Sequence, residues 1–206
     1  MVLGWWLPAL VVICTLFAAC GKSYMVENGQ VYLNGWNEAN GNYQRPIEGA
    51  DAASFENLEF DCDCSFAFGR DKDHLFIDGN RMEGIDPSSF RFLGNHIFRD
   101  ARSAYFFGFY NNLNDTRIDS IDPGSITLLE YPWARAGDRL IHGRTSIALD
   151  DLDNLEFLNG SWARTDRLVL FKTQIVDGAD PSTFVATSDS QGHDRSHRYE
   201  YGKAVE

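Results

Sequence analysis

Gly178-Ala179-Asp180-Pro181-Ser182-Thr183-Phe184 is the stretch on which the reading turns, because four earlier segments repeat it. They are Gly49-Ala50-Asp51-Ala52-Ala53-Ser54-Phe55, Gly84-Ile85-Asp86-Pro87-Ser88-Ser89-Phe90, Ser120-Ile121-Asp122-Pro123-Gly124-Ser125-Ile126 and Leu149-Asp150-Asp151-Leu152-Asp153-Asn154-Leu155. The aspartates fall at 51, 86, 122, 151 and 180, so the spacings are 35, 36, 29 and 29. The basic unit is 29 residues, lengthened by six or seven in two copies. Self-similarity at a fixed short period is the mark of a repeat architecture.

A second motif precedes the first within each unit. Asp71-Lys72-Asp73-His74-Leu75-Phe76 is its clearest copy. Asp100-Ala101-Arg102-Ser103-Ala104-Tyr105, Gly137-Asp138-Arg139-Leu140-Ile141-His142 and Asp166-Arg167-Leu168-Val169-Leu170-Phe171 follow, and Asp194-Arg195-Ser196-His197-Arg198-Tyr199 opens a sixth, truncated unit. Trp133 and Trp162 keep the same beat. Each polar start hands over to a short apolar strand such as Leu75-Phe76-Ile77. Asp78-Gly79 and Asn34-Gly35 read as tight hairpin turns, where glycine tolerates the positive φ that such turns need. Met82 and Ile175-Val176 lie on a following strand. In the Asp-Pro segments proline presets φ, and the aspartate oxygen can accept from backbone N–H groups just ahead.

No 3.6-residue apolar stripe persists, so the expected fold is all-β, with hairpin units and a short helical turn in each. A 29-residue unit cannot bury its own apolar face, and stacking of neighbours is the natural remedy. The expectation is a tandem, solenoid-like stack of β-hairpin repeats. A small closed barrel or propeller is the competitor, although known propeller blades run to roughly 40–50 residues.

The motifs resemble those of the DKNYY family of bacterial proteins. That family combines an Asp-Lys-Asn segment and a Tyr-Tyr-like pair with a Gly-Ala-Asp-Pro-x-Thr-Phe-like segment. Asp71-Lys72-Asp73-His74-Leu75-Phe76 matches the first half and Gly178-Ala179-Asp180-Pro181-Ser182-Thr183-Phe184 the second. The likeness extends from Val31 to Gly202. It implies a repeat domain and a bacterial origin, and brings no activity and no active site with it.

The first twenty residues, MVLGWWLPALVVICTLFAAC, carry no charged side chain. Small residues before a cleavage point suit a signal peptidase. Leu16-Phe17-Ala18-Ala19-Cys20 resembles the lipobox of bacterial lipoproteins, which implies diacylglyceryl transfer to Cys20 and cleavage before it. Phe17 stands where leucine is usual, and no Lys or Arg precedes the apolar run. The length of that run also permits an uncleaved membrane-spanning anchor. The expected divisions are a signal peptide over 1–19, a lipid-anchor tether over 20–30 and the repeat domain over 31–206. The expected location is the cell envelope, facing the periplasm or the cell surface, on the outer membrane if the cell is Gram-negative.

The formal net charge of −12 all lies beyond residue 21 and argues against nucleic acid as a partner. The partners expected are the membrane, through the lipid, and an unidentified protein. Neither a cofactor nor a catalytic or metal-binding residue is assigned.

Several clusters compete for chemistry. Phe60 to Phe68 alternates as a half-buried strand, with Cys62 and Cys64 on one face. Same-face neighbours on a regular strand sit too far apart to bridge, so the thiols are expected to pack as small apolar groups. A strained Cys62–Cys64 disulfide at a bend and a metal site are the alternatives. His193 and His197 have a spacing that holds zinc when it lies on a helix. Asp150, Asp151, Asp153 and Asn154 gather oxygens without the spacing of a calcium loop. Asp61 and Asp63 could pair as hydrolase carboxylates. The leading reading is an envelope lipoprotein whose β-repeat surface binds another macromolecule, and the other is an envelope hydrolase acting on cell-wall material.

Overall fold

The computed structural model of the protein describes residues 21–39, 41–62, 65–108 and 112–205. These residues form six small antiparallel sheets, each a meander whose strands follow one another in chain order. The first sheet has three strands: β1 (Ser23–Glu27), β2 (Gln30–Asn37) and β3 (Gly41–Pro46). The second is β4 (Glu56–Leu58), β5 (Phe68–Arg70), β6 (Leu75–Ile77) and β7 (Asn80–Met82). The third is β8 (Arg91–Gly94), β9 (Ile97–Arg99), β10 (Ala104–Phe106) and β11 (Arg117–Ile118). The fourth is β12 (Ile126–Leu128), β13 (Trp133–Ala136), β14 (Arg139–His142) and β15 (Thr145–Ala148). The fifth is β16 (Glu156–Asn159), β17 (Trp162–Arg164), β18 (Val169–Phe171) and β19 (Gln174–Ile175). The sixth is β20 (Val185–Ala186), β21 (Gln191–His193), β22 (Arg198–Glu200) and β23 (Lys203–Val205).

The repeat is therefore a four-stranded meander, where a hairpin was expected. The expected helical turn occurs as two short 3-10 turns, Pro123–Ser125 and Leu152–Asn154, both inside the Asp motif. The extra residues of the two longer units lie between β4 and β5 (59–67) and between β10 and β11 (107–116). Insertions thus lengthen loops and leave the meander intact. Residues 23–30, expected in the tether, form β1, its turn and the first residue of β2.

The inner strands explain how so small a unit finds a core. Successive residues of a strand point to opposite faces. On β6, Leu75 and Ile77 pack with Phe68, Phe90, Phe98 and Phe107 of the second and third sheets. Phe76 between them packs the other way, against Tyr24, Val31, Leu33 and Ile47. On β14, Ile141 faces back to Ile97, Ala104 and Ile118, while Leu140 faces forward to Ala163 and Leu170. On β18, Leu170 faces back, and Val169 and Phe171 face forward to Phe184 and Tyr199. Each of the five core clusters draws on neighbouring sheets, and among the described residues none joins the first sheet to the sixth. An inner sheet is buried on both faces, which is why these strands read as unbroken apolar triplets. Each fully buried Leu, Ile or Phe contributes about 2 kcal/mol by leaving water.

Close packing sets two glycines. A Cβ on Gly69 would come within 2.6 Å of the Phe55 ring, and one on Gly192 within 2.4 Å of the Phe184 ring. Both rings belong to the phenylalanine that ends the first motif. The motif thus delivers an aromatic onto the second strand of its own sheet, and glycine leaves room for it.

Two local expectations are corrected. Asp78-Gly79 is the turn expected, with φ of 50° and 75°. Asn34-Gly35, however, lies inside β2, and the turn is at Asn28-Gly29, with φ of 50° and 77°. The strand expected over 60–68 begins only at Phe68. Cys62 sits in a bend of the preceding loop and is disulfide-bonded. The regular-strand spacing that argued against a bridge is therefore absent, and Cys62's partner lies outside the described residues.

Because each core cluster joins only neighbouring sheets among the described residues, removal of one 29-residue unit is expected to be tolerated. A variant lacking residues 122–150, which joins Ile121 to Asp151, should keep its far-ultraviolet β signal and unfold cooperatively at a lower temperature. Loss of all cooperative unfolding would contradict the neighbour-only packing.

Candidate functional site

The aspartates are the most repeated chemistry in the chain, and the structure gives them two linked tasks. In the first motif the carboxylate caps its own turn. Asp51 accepts from Ala53 N at 3.1 Å, Asp86 from Ser88 N at 3.0 Å, Asp122 from Gly124 N at 2.8 Å and Asp180 from Ser182 N at 2.9 Å. Asp151 departs from the pattern and accepts from the Asn154 side chain at 2.8 Å.

In the second motif the carboxylate is buried and reaches back. Asp100 accepts from Arg102 N and Ser103 N of its own turn, both at 2.7 Å, and from Asp86 N at 2.8 Å. The Tyr105 hydroxyl donates a fourth bond at 3.0 Å. Asp194 repeats the arrangement with Ser196 N, His197 N, Asp180 N and the Tyr199 hydroxyl. Asp71 does the same with Asp73 N, His74 N and Asp51 N, where Phe76 offers no hydroxyl. The carboxylate of the second motif thus clamps the backbone of the aspartate in the first.

The electrostatics follow from this geometry. Burial works to raise the pKa of Asp71, Asp100 and Asp194, but three converging backbone N–H groups hold each below the usual carboxylate range. Burial above all, with the facing carboxylate adding to it, pushes the Tyr105 and Tyr199 hydroxyls up to about 12. The carboxylates stay ionised, with four hydrogen bonds accepted by Asp100 and by Asp194 and three by Asp71.

Two copies lack the clamp. Gly137-Asp138 is a two-residue turn between β13 and β14, too short to carry it. In the next unit Thr165, one residue before the aspartate expected, closes the turn. Its N donates to Leu168 O at 2.9 Å, as Asp71 N does to His74 O at 3.0 Å. Its hydroxyl accepts from Arg167 N and Leu168 N.

A further recurrent residue escaped the sequence reading. Arg70, Arg99, Arg135 and Arg164 occupy the same position on the second strand of four successive sheets. Arg70 donates to Pro87 O at 2.8 Å, Arg99 to Pro123 O at 2.6 Å and Arg164 to Pro181 O at 3.1 Å. Arg135 instead pairs with Asp153 at 3.1 Å. Each arginine reaches the Asp-motif turn of the next unit. In the last sheet the position holds His193, where no described turn follows. The spacing of the arginines, 29, 36 and 29, was the available signal.

The remaining candidates do not converge. His193 and His197 flank the turn between β21 and β22, not successive turns of a helix. The Asp151–Asp153 stretch lies in a 3-10 turn, with Asp153 turned to Arg135. Asp61 is exposed in a loop, and Asp63, Cys64 and Cys20 lie outside the described residues. Among the described residues no group of three or more His, Cys, Asp or Glu side chains could hold a metal ion. A cleft of about 560 Å³ lies between β7 and the 112–117 segment, lined by Arg81, Glu83, Tyr105 and Arg117. Among the described residues its only buried titratable group is Tyr105, which is already committed to Asp100.

The clamps and ties recur in chain order across the array, and over residues 24–203 the chain matches the DKNYY family. It belongs to that family. No curated protein and no solved structure matches it. In this DKNYY protein the residues on which the two motifs are recognised, Asp71, Asp100 and Asp194 with the first-motif aspartates they hold, are structural.

Asp100→Ala removes one acceptor from four donors and should destabilise the array by about 3 kcal/mol. Because the clamp carboxylates have pKa values below those of the unfolded chain, unfolding takes up protons as pH falls through about 4. Their contribution is complete above that pH and is lost as pH drops towards the folded pKa. The urea midpoint of the wild type should therefore fall between pH 7 and pH 3. That of Asp100→Ala should start lower and fall less.

Proposed function

We propose that the protein is an exported, lipid-anchored component of a bacterial envelope whose stacked sheets offer an extended surface to a partner protein. The observation that carries this reading is the saturation of its recurrent polar residues. The clamp aspartates and the repeated arginines are spent on bonds within and between units, which leaves a scaffold and, among the described residues, no convergent catalytic group. The apolar leader ending in Ala18-Ala19-Cys20 supports export and acylation at Cys20.

We read the six sheets as an open, solenoid-like stack. The sixth sheet supports this. On the sixth sheet, Gln191, His193, Arg198 and Glu200 are exposed at positions that hold Phe68, Arg70, Leu75 and Ile77 in the second. A polar outer face is what a terminal repeat needs to close an array in water. Val185 and Val205 are the exposed apolar exceptions on that sheet.

Two experiments test the reading. Cys20→Ser should abolish incorporation of a radioactive fatty acid and leave an unprocessed precursor; normal processing would remove the lipid anchor. The detergent-solubilised protein should also retain one stoichiometric partner on affinity purification from its own envelope. Turnover of wall fragments that is lost on mutating a carboxylate pair would replace the binding role with a hydrolase.

A further inference from the structure

The β2–β3 hairpin is built differently from the rest of the array. Its strands have eight and six residues, where those of the other five sheets have two to four. Leu33 is the last residue of β2 to join the core. Beyond it the hairpin runs on through Asn34, Gly35 and Trp36, paired with Gln44, Tyr43 and Asn42. Gly35 has a reason: a Cβ there would lie 2.5 Å from the Tyr43 hydroxyl, so the tyrosine lies across the bare backbone. Trp36 is 52% exposed, whereas Trp133 and Trp162 are fully buried.

The chain enters the array at this same place. Ser23 pairs with Asn34, and Gly21 shares a hollow of about 410 Å³ with Asn34, Trp36, Asn42 and Tyr43. Residues 1–20 therefore join at the projecting end of the hairpin. Alternation along the strands puts Met25, Tyr32 and Trp36 on the face that points away from Tyr24, Val31 and Leu33. No described sheet covers that face. Glu38 is the one charged side chain in the adjoining turn, and Lys22, beside Gly21, is paired with Asp78, so basic residues do not draw this end to anionic lipid.

We propose that the β2–β3 tip, with Trp36 at its point, is a foot that seats in the headgroup region of the membrane to which the chain is tethered. The inference rests on the anchoring reading above. Whether the apolar leader is cleaved before Cys20 or remains in the bilayer, Gly21 emerges at the membrane surface and brings Trp36 with it. Tryptophan suits that layer because its ring is apolar and its N–H keeps a polar partner. With an acidic array and an acidic turn, the seating acts through aromatic partition and is insensitive to salt. It would fix how the stack stands on the membrane, which a flexible tether alone leaves free.

The test uses the processed, acylated protein reconstituted into phosphatidylcholine vesicles with brominated acyl chains. Flotation on a density gradient is scored first, and quenching of tryptophan emission second. The expected result is flotation, with part of the emission quenched by brominated lipid at low and high salt alike, and loss of that quenched part in Trp36→Phe. Flotation with quenching that is absent, or that is unchanged in Trp36→Phe, overturns the foot and leaves the anchor standing. Shielding of Trp36 from acrylamide without quenching by brominated lipid points to a second copy on this face and also overturns it. Failure of the wild type to float overturns the anchor and the foot together.

Discussion

A sheet of four strands, each of two to four residues, cannot hide either of its faces by itself. Every other feature of the array depends on that constraint. The inner strands send alternate side chains to the sheet before and the sheet after, as Phe76 and its neighbours Leu75 and Ile77 do. Stability therefore resides in the interfaces between units more than within any unit. The first and sixth sheets, which no core cluster joins among the described residues, present different surfaces. The sixth sheet turns polar residues outward, while the first leaves Met25, Tyr32 and Trp36 on its uncovered face.

Packing alone would not hold the sheets in register, since apolar contact is non-directional. The polar repeats supply direction. A buried carboxylate fixes the second turn of a sheet to the turn that opens the same sheet, as Asp100 fixes Asp86 N. An arginine then fixes that sheet to the opening turn of the next, as Arg99 does to Pro123 O. Aspartate and arginine thus alternate as ties within and between units. Where the clamp is missing, as at Gly137-Asp138 and Thr165, the turn is shortened or a hydroxyl takes over the local bonds.

This division of labour bears on function. Motifs that recur five times invite a reading as ligand sites, yet here their lone pairs and N–H groups face one another. The repeat pattern lapses in the lengthened loops and in the projecting β2–β3 hairpin. The disulfide at Cys62 falls in one of those lengthened loops.

The amino-acid sequence by itself determined the all-β class, the 29-residue period, the family and the turn-forming role of the first aspartate. These are local properties: they depend on residues a few positions apart, where Pro, Gly and Asp act on their own backbone. It also marked the Asp78-Gly79 turn and the apolar inner strands. It misplaced the turn at Asn34-Gly35 and the strand over 60–68, because glycine in β2 serves Tyr43 and the cysteines sit in an insertion. Only the tertiary structure decided that the second aspartate clamps the first, that the arginines bridge units, that Thr165 replaces a carboxylate and that Trp36 stands beside Gly21. All but the Thr165 turn, whose bonds are local, join residues distant in the chain, and those contacts exist only once neighbouring strands and sheets have packed together.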